Sequence, residues 1–318
     1  MKKGTKRILT VCLCMAMAVT SAFMLSGCGK DKQTPDSERV SDAAFTGKYL
    51  VTAKEAKALV GKKNVLFVDC RDDKLANKGT VKGAVVTSWQ KLCQCSDRYG
   101  AEGDAEWGKI PAAKDLAKRL GDLGITKDQE IILIGQTSDG WGDDSRVLWE
   151  LREAGFENAK MVDGGWTALK DAGIETQNGG STPKKTKVKI DRIRKDHTVS
   201  TEDLQKNYKK YKIIDVRTDA EWKGATKYGE AKGGHMPGAV HVRYTDLFRE
   251  DGTLVSKKDV EKMMRDAGIS KNDYIVTYCT GGIRSAYMQL VLEMCGYPHT
   301  YNYDQSFWRW AKVGKVVK

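Results

Sequence analysis

Proline and histidine are scarce in this chain, at five and four among 318 residues. So little proline excludes a collagen-like or proline-rich extended chain, and 40% hydrophobic with 30% charged residues excludes a disordered one. Beyond residue 27 there is no apolar run long enough to span a bilayer, which argues against a polytopic membrane protein. Lys and Arg number 54 against 42 Asp and Glu, for a net charge of +12. The basic residues form no stripe interleaved with aromatics, so nucleic acid is not an expected partner. Of the few histidines, His197, His241 and His299 lack the partner spacing that a metal or general-base site needs. His235 reads as a turn residue beside Pro237. The length exceeds what one core usually serves, and two domains are expected.

What the chain does have begins at its N-terminus. Residues 1–27 hold Lys2, Lys3, Lys6 and Arg7, no acid, and an apolar run from Ile8 to Leu25. That pattern reads as a secretory signal rather than a fold element. It ends in Leu25-Ser26-Gly27-Cys28, which resembles the lipobox of bacterial lipoproteins, with the Cys28 thiol as lipid acceptor. The expected product is exported and held by lipid on the outer face of the cytoplasmic membrane, or on an outer membrane if there is one. Residues 28–45, polar and carrying Pro35, Ser37 and Ser41, read as a flexible tether. Of eight cysteines, Cys12 and Cys14 leave with the signal and Cys28 is lipidated. Cys70, Cys93, Cys95, Cys279 and Cys295 remain, an odd number that leaves at least one thiol unpaired.

After the tether the sequence repeats itself. A capping box at Thr52 to Glu55 returns as Ser200 to Asp203. The apolar strand Val65–Asp69, followed by Cys70 and Arg71, returns as Ile213-Ile214-Asp215-Val216-Arg217, an offset of 146 residues between the two aspartates. The strands Ile131–Ile134 and Tyr274–Tyr278 each lead through a loop into a helix. Near-continuous apolar strands alternating with helices are the signature of a parallel sheet covered on both faces. The expectation is a tandem α/β duplication, with domain one at 46–180, a linker at 181–197 and domain two at 198–318. The linker is basic and is read as solvated, though Lys187 to Ile190 alternates as an edge strand would.

One loop carries the chemistry. A strand of domain two runs into Cys279-Thr280-Gly281-Gly282-Ile283-Arg284-Ser285-Ala286, and a helical pattern follows. Loops at the C-terminal end of parallel strands, leading into helix N-termini, are where such folds bind anions. Two glycines let successive backbone N–H groups turn inward as a nest, and Arg284 adds charge. Cys279 is therefore placed to be a thiolate nucleophile, with Thr280, Gly281, Gly282, Ile283 and Arg284 around its substrate. The corresponding loop of domain one has Gln136 where the cysteine belongs and bears Asp139, Asp143 and Asp144, which repel a dianion. Domain one is expected to be inactive. Cys93-Gln94-Cys95 is read as a surface loop ahead of a metal or sulfur-relay site, and Trp308 and Trp310 as core or cleft residues.

Taken together, Asp215-Val216-Arg217 with Glu221-Trp222, Gly234-His235-Met236-Pro237-Gly238-Ala239, the Cys279 to Arg284 loop and Trp308-Arg309-Trp310-Ala311 resemble the two-domain rhodaneses, the thiosulfate sulfurtransferases. The resemblance implies two tandem rhodanese-like domains, with Cys279 taking the outer sulfur of thiosulfate, releasing sulfite and passing its persulfide sulfur to cyanide or a thiol. It implies no metal or organic cofactor, and a substrate contact for Arg217, whose alternative partners are Asp219 and Glu221. Cys-x4-Arg is the shorter loop expected of sulfur transfer; related phosphatases use Cys-x5-Arg. The loop lacks both the lysine linked to thiosulfate and the small uncharged pattern linked to 3-mercaptopyruvate. Mercaptopyruvate sulfurtransfer, or a non-catalytic sulfur-carrier or anion-binding lipoprotein, remain alternatives.

Overall fold

The computed structural model describes residues 48–318, so the signal, tether and Cys28 readings lie outside the described residues. Domain one runs β1 (Leu50–Val51), α1 (Ala53–Leu59), β2 (Val65–Asp69), α2 (Asp73–Ala76), β3 (Thr80–Val81), β4 (Val85–Val86), α3 (Trp89–Leu92), α4 (Ala113–Asp122), β5 (Glu130–Ile134), α5 (Asp143–Glu153), β6 (Ala159–Val162), α6 (Gly165–Asp171) and β7 (Thr176–Gln177). Domain two runs α7 (Thr201–Lys206), β8 (Tyr211–Asp215), α8 (Asp219–Trp222), β9 (Val240–His241), α9 (Lys257–Asp266), β10 (Tyr274–Tyr278), α10 (Arg284–Met294), β11 (Thr300–Asn302) and α11 (Ser306–Val313).

The main sheet of domain one has the order β1-β6-β5-β2-β4 and that of domain two β11-β10-β8-β9, all parallel pairs. A parallel bridge from Thr198 to Asn302 stands where β1 stands in domain one, so the two orders agree. The repeated N-terminal signals act as helix caps: Thr52 and Glu55 form a full capping box, and Ser200 accepts from the Asp203 N–H. The duplicated α/β architecture is thus present in both halves.

Helices α5 and α10 pack against each other between the domains. Val147, Leu148 and Leu151 share one core with Tyr287, Leu290, Val291 and Met294. Burial on nearly every side explains why neither helix has a clean polar face. Since each helix follows its domain's β5 or β10 loop, docking them brings both loops to one cleft. Arg152 and Glu293 pair across this junction at 2.8 and 3.0 Å, with the Tyr49 hydroxyl donating to Glu293 at 2.6 Å.

The linker forms no strand at Lys187 to Ile190 and is not freely solvated. Ile190 is buried, the Thr186 N–H donates to the Gly121 carbonyl at 2.9 Å, and Glu153 accepts the N–H groups of Asp196 and His197. It is strapped along domain one because its apolar residues find core there, while its lysines point outward.

Candidate active site

β10 delivers Cys279 to the C-terminal edge of its sheet, and α10 starts five residues later at Arg284. The thiol is 1% exposed and lies in a cavity of about 350 Å³. Its sulfur accepts the Gly282 N–H at 3.1 Å and the Ser285 hydroxyl at 3.7 Å. Its own N–H is fixed by the Ser306 hydroxyl at 3.1 Å. Gly282 turns at a φ of +83°, and a Cβ there would collide with the Asp304 carbonyl, so only glycine can aim this N–H at the sulfur. Burial pushes the thiol pKa up. The charge of Arg284 and hydrogen bonds from Ser285 and Gly281 outweigh it, and the net shift is downward. The loop favours a thiolate.

Thr280, Gly281, Ile283 and Arg284 line the cavity with Cys279. Gly282 contributes its N–H from behind, while its carbonyl is held by Asn302 at 3.1 Å. Arg284 departs from expectation. Its guanidinium is forked onto Glu221 at 2.7 and 2.9 Å, both side chains being almost fully buried. Thr280 donates to the same carboxylate at 2.6 Å. Burial alone would raise Glu221, but Arg284, Thr280 and Thr218 hold it down at about 2. Glu221 thus compensates much of the Arg284 charge, and the buried Nε–H of Arg284 has no hydrogen-bond partner.

Arg217 takes neither Asp219 nor Glu221 as partner. It is fully buried and forked onto Asp215 at 3.0 and 2.6 Å, with a further bond to the Gly234 carbonyl at 2.7 Å. It borders a smaller neighbouring cavity rather than the one that holds Cys279. His235 stacks on Trp222 at the turn, in keeping with a structural role. Trp308 lines the cavity, whereas Trp310 is core and stacks on Tyr208.

The strand register corrects the alignment of the two loops. Asp69 pairs with Ile134 as Asp215 pairs with Tyr278, so Gly135, not Gln136, occupies the cysteine position. The Trp166 N–H donates to the Gly135 carbonyl just as the Phe307 N–H does to that of Cys279. A Cβ at Gly135 would overlap the Asp144 carboxyl, which fills the place of a nucleophile. Burial, with Asp143 nearby, raises Asp144 to about 8. Domain one therefore has no nucleophile at this site and plugs its own nest.

Domain one nevertheless builds part of the cavity around Cys279. Trp89, Trp141, Asp72, Asp139 and Asp143 all line it, facing Cys279 of domain two. Arg146, absent from the sequence-based candidates, reaches across the junction. Fully buried, it donates to the carbonyls of Gly282 and Asp304 at 3.3 Å each and of Gly108 at 2.7 Å, with its Nε on Glu150 at 3.0 Å. Its position in the first turns of α5, at the level of the Arg284 loop, was the only available signal. Cys93 is not on a surface loop either. It is buried among Trp89, Trp107 and Ile283 and forms a disulfide with Cys95.

A cysteine with a lowered pKa in a backbone nest, at the end of a parallel strand and facing a cavity between two copies of one domain, defines a sulfur-transfer type of α/β protein. The rhodanese-like domain pattern matches residues 52–172 and again 200–313, and the chain belongs to that family. Among its curated relatives are the sulfur carrier protein TtuD of Thermus thermophilus, 26% identical over 79% of this chain and 89% of that protein, and the thiosulfate sulfurtransferase of Corynebacterium glutamicum, 24% identical over 85% and 88%. The fold also matches the anaerobic ergothioneine biosynthesis enzyme of Chlorobium limicola in complex with trimethyl histidine, with a TM-score of 0.71 and 19% identity over 85% of this chain and 71% of that one. A structure of EanB bearing a cysteine persulfide aligns with a TM-score of 0.72 at 19% identity, over the same shares.

Proposed function

We propose that this protein is a sulfurtransferase that carries sulfane sulfur as a persulfide on Cys279, with thiosulfate as donor and cyanide or a thiol as acceptor. The observation that carries the proposal is the Cys279 environment: a buried sulfur accepting the Gly282 N–H, with its pKa lowered, at the floor of a cavity. In the first half-reaction the thiolate attacks the outer sulfur of thiosulfate; the S–S bond to the sulfonate breaks, and its electron pair leaves with sulfite. In the second, an acceptor nucleophile attacks the outer sulfur of the persulfide, and the pair returns to Cys279 as thiolate. The loop N–H groups that stabilise the thiolate are placed to stabilise the persulfide anion as well. Kinship with a protein named thiosulfate sulfurtransferase supports the same assignment.

Mass spectrometry of protein incubated with thiosulfate is expected to show one added sulfur on Cys279. Cys279→Ser is expected to abolish thiocyanate formation, and retained turnover in that variant overturns the mechanism. Running 3-mercaptopyruvate alongside distinguishes the donor. A second assignment, sulfur carriage without appreciable turnover, is favoured by the pairing of Arg284 with Glu221 and by kinship with a sulfur carrier protein. It predicts loading of Cys279 with no multiple-turnover rate to any acceptor. We further propose export and lipid attachment at Cys28, resting on the sequence pattern; Cys28→Ser should release the protein from the membrane fraction.

A further inference from the structure

The cavity that holds Cys279 does not have the charge that a dianion would select. Only two arginines line it, and each is already spent: Arg284 on Glu221, and Arg71 on Asp69 at 2.6 Å. Asp72, Asp139 and Asp143 line it as well, and among the described residues no ion pair to a lysine or arginine involves any of the three. Asp72 caps α2 through the Leu75 N–H, and Asp139 accepts from the Gln136 amide at 3.1 Å. Neither contact cancels charge. Burial, with Asp72 and Asp69 close by, raises Asp143 to about 7, as expected where carboxylates are crowded without a counter-ion.

Four of the other lining residues are aromatic. Trp89, Trp141, Tyr228 and Trp308 border the cavity, and Trp141, 41% exposed, sits at its mouth with Tyr228 edge-on at 5.1 Å. Carboxylates interspersed with indole and phenol rings form the environment that attracts organic ammonium groups. At about 350 Å³ the space is that of a metabolite-sized ligand rather than of a small sulfur oxyanion alone. All three uncancelled carboxylates belong to domain one, which has a glycine where domain two has its nucleophile.

From this juxtaposition we propose that the acceptor which unloads Cys279 is an ammonium-bearing thiol of small-metabolite size, selected by the carboxylates of domain one and the aromatic walls of the cavity. The inference rests on the persulfide reading for its chemistry and adds the charge of the acceptor. The acceptor thiolate attacks the outer sulfur of the persulfide, the S–S pair returns to Cys279, and the acceptor leaves as its own persulfide. No oxidant or reductant is consumed.

Three probes of the form HS–CH2–CH2–X test it on the full-length protein loaded with thiosulfate at pH 8 and low salt: thiocholine, 2-mercaptoethanol and 2-mercaptoethanesulfonate, with rates compared per thiolate. Thiocholine is expected to discharge Cys279 at least about tenfold faster than the sulfonate, with the neutral thiol between them. The gap should shrink to about twofold in Asp139→Asn/Asp143→Asn and in high salt. Equal rates, or a faster sulfonate, overturn the proposal. Binding of the unreactive pair choline and isethionate to unloaded protein, read by tryptophan fluorescence, does not depend on loading. Choline alone should alter the emission, and binding of neither or of isethionate alone overturns the proposal even if Cys279 fails to load. Failure to load, with choline still bound, counts against the sulfurtransferase assignment and leaves the cation selectivity standing.

Discussion

The two halves of this chain keep the same frame and differ in what they put inside it. In each, an aspartate at a strand end forks an arginine two residues on: Asp69 with Arg71, Asp215 with Arg217. Each arginine also donates to a glycine carbonyl, Gly79 or Gly234, and lies over a ring, Trp166 at 4.4 Å or Phe307 at 3.9 Å. This brace is buried in both copies and supports the fold in each, while Arg217 keeps one buried guanidinium nitrogen, Nη1, without a hydrogen-bond partner. The loops diverge. Domain two leaves its nest open around Cys279, whereas domain one fills its own with Asp144 and extends the loop to Gly142 before α5 begins. A copy without a nucleophile has become the wall and the brace of the other copy's site.

The firmest break of this comparison is at Glu221. Removing it as Glu221→Ala strands the Arg284 charge in the interior, and urea unfolding should show a loss of about 3–5 kcal/mol. Its gentler form, Glu221→Gln, should lower the Cys279 pKa further by leaving Arg284 uncompensated, measurable as a shift to lower pH in the rate of iodoacetamide alkylation.

Next comes Arg146, the part of domain one that holds the active loop. Arg146→Met should lower kcat for sulfur transfer by about tenfold with little change in KM for the donor, because it frees the Gly282 carbonyl rather than a substrate contact. Arg146→Lys should fail to restore it, since one ammonium cannot reach the carbonyls of Gly282, Asp304 and Gly108 together. Full rescue by lysine would show that only charge is needed there.

Protonation separates the halves in a third way. In domain one, burial raises Asp143 to about 7, Asp144 to about 8 and Glu150 to about 7. Groups raised in the folded state contribute stability that is fully present below their unfolded pKa near 4 and lost as pH rises through 7 to 8. In domain two and at the junction, Glu221 and Glu293 are lowered to about 2 against burial, by Arg284 and Arg152 respectively. Their contribution is present above pH 4.5 and lost as pH falls through about 2. Thermal melts should therefore fall in midpoint from pH 5.5 to 8, and Asp144→Asn should flatten that slope.

The smallest effect expected is at the Cys93–Cys95 disulfide. It closes so short a loop that its loss as Cys93→Ser should cost only about 1–2 kcal/mol. Because the pair packs with Trp107, whose ring stands edge-on to Trp308 at 5.0 Å, a drop in activity larger than the drop in stability would mark it as a support of the cavity wall.

The duplication, the capping boxes and the Cys279 loop could be read from residue order because each depends on contacts within a few residues. The misplacement of Gln136 has the opposite origin. Which residue of a loop lies opposite Cys279 is set by strand register, Asp69 beside Ile134, and a glycine carries no side chain to announce it. Glu221 stood in view as a neighbour of Arg217, but strand and helix geometry turned Arg217 toward Asp215 and delivered Glu221 to Arg284, 63 residues away. The burial of Cys93 has the same origin, since the tryptophans that pack around it, Trp89, Trp107 and Trp308, come from three separate segments.

The sequence by itself determined that there are two copies of one α/β unit and that the strand-to-helix loop of the second carries a cysteine, a glycine pair and an arginine, whose fixed spacing acts through local backbone geometry. Only the tertiary structure decided which charges Cys279 meets. By residue order Asp139 and Asp143 belong to the corresponding loop of domain one. Packing α5 on α10 turns them onto the cavity of the other domain, while Glu221 compensates much of the Arg284 charge. Electrostatic sign at a site is a sum over side chains brought together by folding, and no local spacing encodes it.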